Sequence, residues 1–283
     1  MRLRSLLFVP GDRPERFAKA AASGADAIIL DLEDSVSPER KEPARGAIAD
    51  YLAGTRAVVT MVRVNPLDGH MTTADIAAII DARPDAIMLP KAEGAPSIAQ
   101  LDTILRSASA ADASLPAILP IATETPSAIF TLGSYREVKE RLVGLTWGAE
   151  DLPAAIGAST SREPDGSYTD PYQVARALTL FAAHAAGVAA IDTVYPAISD
   201  EAGLNAYARR ARRDGFTGMM AIHPSQVGPI NAAFTPSAEE VARAQAIVDA
   251  FAANPGAGVL QVDGRMVDAP HLKQARHLLS LAD

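Results

Sequence analysis

The chain has 283 residues, 48% of them hydrophobic, enough for one large domain with a substantial core. A formal net charge of −8 argues against a nucleic-acid partner, because phosphate-backbone binders gather basic surface. The absence of cysteine excludes disulfides, thiolate catalysis and cysteine-ligated metals and suits a cytoplasmic protein; no apolar run approaches the roughly 18 residues of a membrane helix, so no membrane partner is expected.

Short apolar runs alternate with alanine-rich segments of helical period. The first run, 3–9, follows basic residues but is too short for a signal h-region and reads as a strand. A helix over 14–23 follows, with Arg13, Arg16 and Lys19 making a small basic patch suited to a small anionic ligand. Strand 26–31 runs into Asp31, Glu33 and Asp34, and helix 42–54 comes next. Strand 57–63 ends at Arg63, where Asn65-Pro66 stops it, before helix 72–82. Strand 85–90 ends at Lys91, with helix 96–109 behind it; strand 117–123 ends at Glu124, with helix 126–134. Strand 142–148 leads into Glu150 and Asp151. The serine-rich connection 157–170 lacks periodicity, and loops that long in a compact domain are functional or mobile. Helix 171–187, strand 189–194, helix 200–213, strand 217–222 and helix 225–234 complete the alternation. A further helix runs from Ser237 to about Ala253, the chain breaks at Asn254 to Gly258, and a short strand, an Asp263-Gly264 turn and an amphipathic helix end it.

Continuous apolar runs describe strands buried on both faces, as in a parallel sheet covered by helices. Eight of them, alternating with helices, give the expectation of a (β/α)₈ TIM barrel over 1–254 with a short C-terminal lid segment over 255–283. Ligands bind at the carboxyl ends of such strands, where these charged residues would face one another.

Glu124 and Asp151 follow consecutive strands, and two carboxylates with open coordination positions suit Mg²⁺ (or Mn²⁺); equally, each could cap the helix behind it. Asp31, Glu33 and Asp34 call for a cation nearby; they could form a second shell orienting metal waters, or Asp34 could simply pair with an arginine or lysine. Arg63 is a positive fork at a strand end, suited to a carboxylate or an enolate oxygen, or else to a salt bridge with Asp31 or Glu33. A strand-end Lys91 could form a Schiff base only with a depressed pKa, which ion pairing with these carboxylates would oppose. The histidines at 70, 184, 223, 271 and 277 lack zinc-ligand spacing, and phosphate-binding loops, nucleophile elbows and dinucleotide fingerprints are absent.

Eight segments in register resemble a known family: Ser5 to Gly11, Leu30 to Val36, Arg63-Val64-Asn65, Met88 to Lys91, Glu124-Thr125, Gly148 to Leu152, Ile222-His223-Pro224 and Gly264 to Asp268. Together they are similar to the citrate lyase β-subunit-like (CitE-like) proteins of the HpcH/HpaI aldolase superfamily. The resemblance implies a (β/α)₈ barrel, assembled as a homotrimer or hexamer, that cleaves or forms a carbon–carbon bond beside a CoA or acyl-carrier thioester with Mg²⁺. On that resemblance Glu124 and Asp151 are the metal ligands, Arg63 binds substrate and stabilises the enolate, and Asp268 is the acid/base residue delivered by a neighbouring subunit. Phe8, Lys19, Ile222 and His223 fall at CoA or substrate contacts, although Glu15 stands where some relatives carry a second basic residue.

The implied reaction splits a 3-hydroxy-acyl-CoA such as citramalyl-CoA, malyl-CoA or citryl-CoA into a 2-oxo acid and acetyl-CoA. Mg²⁺ would lower the hydroxyl pKa, Arg63 would meet the enolate oxygen, and backbone amides of Gly148, Ala149 and Glu150 would hold the oxo acid's carboxylate. The rival expectations are a class II pyruvate aldolase that needs no thioester and a non-catalytic paralogue that binds a metabolite.

Overall fold

The computed structural model describes residues 2–111 and 113–282. The chain divides into two compact units, Met1–Asn231 and Ala232–Asp283.

In the first unit the strands are β1 (Ser5–Pro10), β2 (Ala27–Asp31), β3 (Val59–Arg63), β4 (Ala86–Leu89), β5 (Ala117–Pro120), β6 (Gly144–Thr146), β7 (Ala189–Asp192) and β8 (Gly218–Ala221). All pair in parallel, in the order β5-β4-β3-β2-β1-β8-β7-β6. The two ends of that order meet: isolated parallel bridges join Ile118 to Leu142 and Ile121 to Thr146, and Ala122 N donates to Thr146 O at 2.8 Å. The eight strands expected from the sequence therefore form a nearly closed TIM-type barrel.

Helices α1 (Phe17–Ala21), α2 (Lys41–Ala53), α3 (Met71–Ile79), α4 (Ala95–Ala108), α5 (Pro126–Thr131), α6 (Asp151–Ile156), α7 (Asp170–Ala186), α8 (Glu201–Asp214) and α9 (Val227–Phe234) lie between and after the strands. The helix expected over 126–134 stops at Thr131 and continues as a 3₁₀ segment, Leu132–Arg141. α6 was not legible in the sequence, because one turn and a half is too short to show a period.

The strands bury both faces, which is why they read as unbroken apolar runs. Leu6, Ala27, Ile29, Met61, Ala86, Met88, Leu119, Ile191 and Met220 fill the barrel as one cluster. The intervening Leu7, Ile28, Leu30, Val62, Ile87 and Leu89 are also buried. A fully buried side chain of this size contributes about 1.5–3 kcal/mol, and truncating Met88 to alanine would cost about 2–5 kcal/mol. One pleat step beyond the cluster residues of their own strands stand Phe8, Asp31, Arg63, Thr193 and Ile222; with Ile121, the uppermost cluster residue after β5, all six line one cavity. The two-residue period of the strands thus converts the top layer of the core into the floor and wall of the site.

The second unit contains α10 (Ala238–Ala253), an antiparallel hairpin of β9 (Val259–Val262) and β10 (Arg265–Asp268), and α11 (Ala269–Ala282), which packs on α10. Ser237 and Glu240 form a reciprocal capping box at the start of α10. The turn residues Asp263 and Gly264 both have positive φ, 50° and 74°, as a tight hairpin turn requires. β10 was not anticipated, since four residues between a turn and a helix leave no periodic signature. The unit boundary also falls earlier than the sequence suggests: the break at Asn254 to Gly258 is the conspicuous interruption, yet α10 before it belongs with α11 after it.

Candidate active site

A cavity of about 360 Å³ opens at the carboxyl ends of the strands. Ten of the residues singled out in the sequence line it: Phe8, Asp31, Asp34, Arg63, Glu124, Gly148, Ala149, Glu150, Asp151 and Ile222.

At its centre is Arg63, register partner of Asp31 across β2 and β3. Its Nε and Nη2 donate to the two oxygens of Asp31 at 2.6 and 2.7 Å, a bidentate fork. Nη1 lies 2.9 Å from Glu33 Oε2, off the line of a hydrogen bond, so that buried oxygen has a charge partner but accepts no hydrogen bond. The guanidinium also sits 4.9 Å from the centre of the Phe8 ring. Burial opposes the charge on both partners, but the fork outweighs it: Arg63 is held above its ordinary pKa and Asp31 below the usual carboxylate range. The salt-bridge reading of Arg63 holds, and the bridged guanidinium still lines the cavity.

Asp31 itself is pinned. Its oxygens accept from Glu33 N at 2.9 Å and Ser35 N at 3.1 Å, and its carbonyl accepts from Gly11 N at 2.8 Å. A Cβ at Gly11 would lie 2.4 Å from that carbonyl oxygen, which explains why the turn after β1 needs glycine. Behind the site, the buried Lys41 donates to Leu32 O (2.6 Å), Glu33 O (2.7 Å) and Asn65 Oδ1 (2.9 Å). Asn65 is held by Asp75, which accepts from Arg45 Nε at 2.7 Å. This network sets the backbone that carries Glu33, and it was missed because partners from 8 to 30 positions apart leave no local pattern in the sequence.

Lys91, with φ of 51°, donates from Nζ to Glu33 Oε1 at 2.6 Å and lies 3.5 Å from Asp151 Oδ1. Burial works against its charge, yet the Glu33 contact raises its pKa, so Lys91 stays an ammonium and not a Schiff-base amine. Its backbone N–H donates to Glu124 Oε2 at 2.6 Å.

Glu124 is 4% exposed, and burial pushes its carboxyl up to about 8; the Lys91 N–H opposes this and the nearby Asp151 and Glu33 charges add to it. It is not a helix cap. Thr125 caps α5, accepting from Ala128 N at 3.2 Å. The carboxylate instead packs against Gly148, where a Cβ would lie 2.5 Å from Glu124 Cγ. Asp151 stands in the first turn of α6, which has no side-chain cap. Among the described residues no three metal-ligating side chains converge. Glu124 and Asp151, two of the carboxylates on the cavity, offer oxygen only, a donor set that fits a hard divalent ion keeping several waters.

The β6–β7 side is fixed by the buried Asp192, which accepts from Trp147 Nε1 (2.6 Å), Arg176 Nη2 (2.7 Å) and Tyr207 OH (3.0 Å). The 157–170 connection is tied to the same wall: Arg162 stacks 4.0 Å from the Tyr168 ring centre, and Tyr168 meets Trp147 edge-on at 5.0 Å. Thr193, Val194 and Met220, also on the cavity, are apolar or uncharged and carried no sequence signal beyond the pleat spacing.

The remaining expected residues lie elsewhere. Lys19 is exposed on α1, and His223 is exposed at the start of the 3₁₀ turn Pro224–Gln226, its Nδ1 accepting from Ser225 N at 3.2 Å. Asp268 closes β10 in the second unit, where it pairs with His271 and accepts from His271 N, the helix-capping arrangement. That contact holds its carboxyl below the usual range.

The family model described as HpcH/HpaI aldolase/citrate lyase matches residues 4–224. The citrate lyase subunit beta-like protein of Mycobacterium tuberculosis (strain ATCC 25618 / H37Rv) is 38% identical over 279 residues, covering 98% of this chain and 94% of its own. Citrate lyase subunit beta of Escherichia coli (strain K12) is 35% identical over 286 residues, covering 99% and 93%. The crystal structure of CitE from Mycobacterium tuberculosis in complex with magnesium, acetoacetate and coenzyme A superposes with a TM-score of 0.85 at 35% identity, covering 99% of this chain and 98% of that one. With strand-end charges, barrel and near full-length similarity in agreement, the chain belongs to the HpcH/HpaI aldolase/citrate lyase family, among its citrate lyase β-subunit-like members.

Proposed function

We propose that the chain is a Mg²⁺-dependent carbon–carbon lyase that cleaves, or forms, a 3-hydroxy-acyl-CoA thioester to give an oxo acid and acetyl-CoA. The observation that carries this is the joint placement of Arg63, Glu124 and Asp151 on one cavity, with Arg63 locked by Asp31 and Glu33. When bound, the cation supplies Lewis-acid polarisation of the substrate hydroxyl. Glu124 and Asp151 hold it, and the Lys91 N–H and ammonium keep those two carboxylates in place. Arg63 presents a fixed positive group to the thioester enolate oxygen, and because Asp31 orients it beforehand, little reorganisation accompanies charge development. The apolar plug beneath excludes water from that side of the reacting centre. Asp268, from a neighbouring copy in a trimer or hexamer, is the proposed acid/base residue, with Phe8, Ile222 and more distantly Lys19 and His223 on the side of CoA.

The test incubates purified protein with malyl-, citramalyl- and citryl-CoA, with and without Mg²⁺, and follows acetyl-CoA and the oxo acid. Turnover that survives exhaustive chelation would sink the metal assignment. Cleavage of a free hydroxy-oxo acid without CoA would favour the class II aldolase.

A further inference from the structure

Resting on the reading of Asp268 as the acid/base residue, we propose that His271 is its positioning residue: the imidazole holds Oδ1 and leaves Oδ2 as the atom that exchanges a proton with the substrate.

Asp268 ends β10, in register with Val259 of β9, and α11 begins at the next residue. His271 stands three residues on, where the partner of a capping box would stand, and in such a box that side chain accepts from the cap residue's N–H. The parts of a box are present. Asp268 N lies 3.3 Å from His271 Nδ1, and His271 N donates to Asp268 Oδ1 at 3.4 Å. The side chains make a closer contact, with Nδ1 2.5 Å from Oδ1. Two lone pairs cannot face each other at that distance, so a proton lies between them, and a nitrogen that shares a proton with the carboxylate has no lone pair left for the backbone. His271 therefore does more than a cap requires.

Every hydrogen bond to the Asp268 carboxylate falls on Oδ1; among the described residues Oδ2 receives none. One oxygen is clamped and the other is free, with its direction set by the clamp. An acid/base group must reach its proton to within hydrogen-bond distance, and an unclamped aspartate spreads over several rotamers, most of them out of reach. The same contact keeps the carboxyl below its usual range, so Asp268 rests as a base. At 34% and 45% side-chain exposure, for Asp268 and His271, the pair adds little to stability. Nothing facing the imidazole competes for it. On the groove that His271 shares with α10, Glu240 is engaged by Ser237 N at 2.7 Å and Arg243 offers only donors, while Val259, opposite Asp268, is apolar.

The experiment uses the Mg²⁺-saturated full-length protein and measures cleavage of malyl-, citramalyl- and citryl-CoA by His271→Ala, His271→Glu, His271→Gln, Asp268→Asn and the Ala/Asn double variant. Glutamate completes a capping box but cannot donate to Oδ1; glutamine can do either. The expected result is that alanine and glutamate lower kcat on the order of 10- to 100-fold with KM nearly unchanged, and that glutamine recovers part of the loss. In both deficient variants the acidic limb of kcat/KM should move to higher pH, because ionised Asp268 has lost its donor. In the Asp268→Asn background His271→Ala should lower the residual rate no further, since it acts through that carboxylate. Glutamate at the parent rate, or an alanine effect undiminished in the Asp268→Asn background, would reduce His271 to a helix cap and leave the Asp268 reading standing. Asp268→Asn at the parent rate, or no turnover of any of the three thioesters by the parent, would overturn the underlying reading and this inference with it.

Discussion

Replacing Arg63 by lysine keeps the charge and removes the fork, so it separates what the guanidinium does for the fold from what it does for the reaction. In the fold, Arg63 Nε and Nη2 serve two oxygens of Asp31, a residue 1% exposed. A lysine ammonium reaches one of them, and losing one charge-assisted bond to a buried carboxylate costs about 1.5–3 kcal/mol. The loss should appear as a lower denaturant midpoint with the far-UV spectrum unchanged. In the reaction, removing a preorganised donor to a developing oxyanion lowers kcat by on the order of 10²–10³. A stability loss alone leaves the folded fraction near one, so a rate per folded molecule distinguishes the two. If Arg63→Lys loses stability as expected but keeps a rate within about threefold of the parent, Arg63 is a structural salt bridge and the enolate assignment is wrong.

Other perturbations bear on the same site. Glu124 carries a folded pKa of about 8, well above its unfolded value, so below the unfolded pKa its contribution is fully present, and it is lost as pH rises toward 8. Metal-free protein should therefore lose stability over that window, by at most about 1.4 kcal/mol per pH unit, and Glu124→Gln should flatten the trend in denaturant titrations across pH; an unchanged slope would show Glu124 ionised in the fold. Gly148→Ala should displace the Glu124 side chain and abolish thermal stabilisation by Mg²⁺ or Mn²⁺ while the barrel still folds, and a full metal response would show that the packing there is slack. Asp151→Ala should cost activity without unfolding, since its side chain is about a third exposed; a collapsed melting temperature would recast it as structural. Mixing Asp268→Asn with Arg63→Ala under demonstrated subunit exchange should restore activity if sites are shared between copies, and failure to do so would place Asp268 elsewhere.

The alternation of apolar runs by itself determined the barrel: strands buried on both faces must be covered by helices, and eight such runs leave few other architectures. Strand-end positions likewise put Asp31, Arg63, Glu124 and Asp151 on one rim, because parallel strands all end on the same side. Partner choice was beyond the sequence. Arg63 faced Asp31 or Glu33 on equal terms until the β2–β3 register set Asp31 opposite it, and both proved to be engaged. Glu124 read as a cap or a ligand until Thr125 was seen to hold the cap. The Lys41–Asn65–Asp75–Arg45 network, the Asp192 cluster and the membership of α10 in the second unit depend on contacts distant in sequence, which no local period encodes. Pleat and helix period are written along the chain, whereas the pairing of buried charges is decided only when packing removes water and leaves each of them the few partners that the tertiary fold brings within reach.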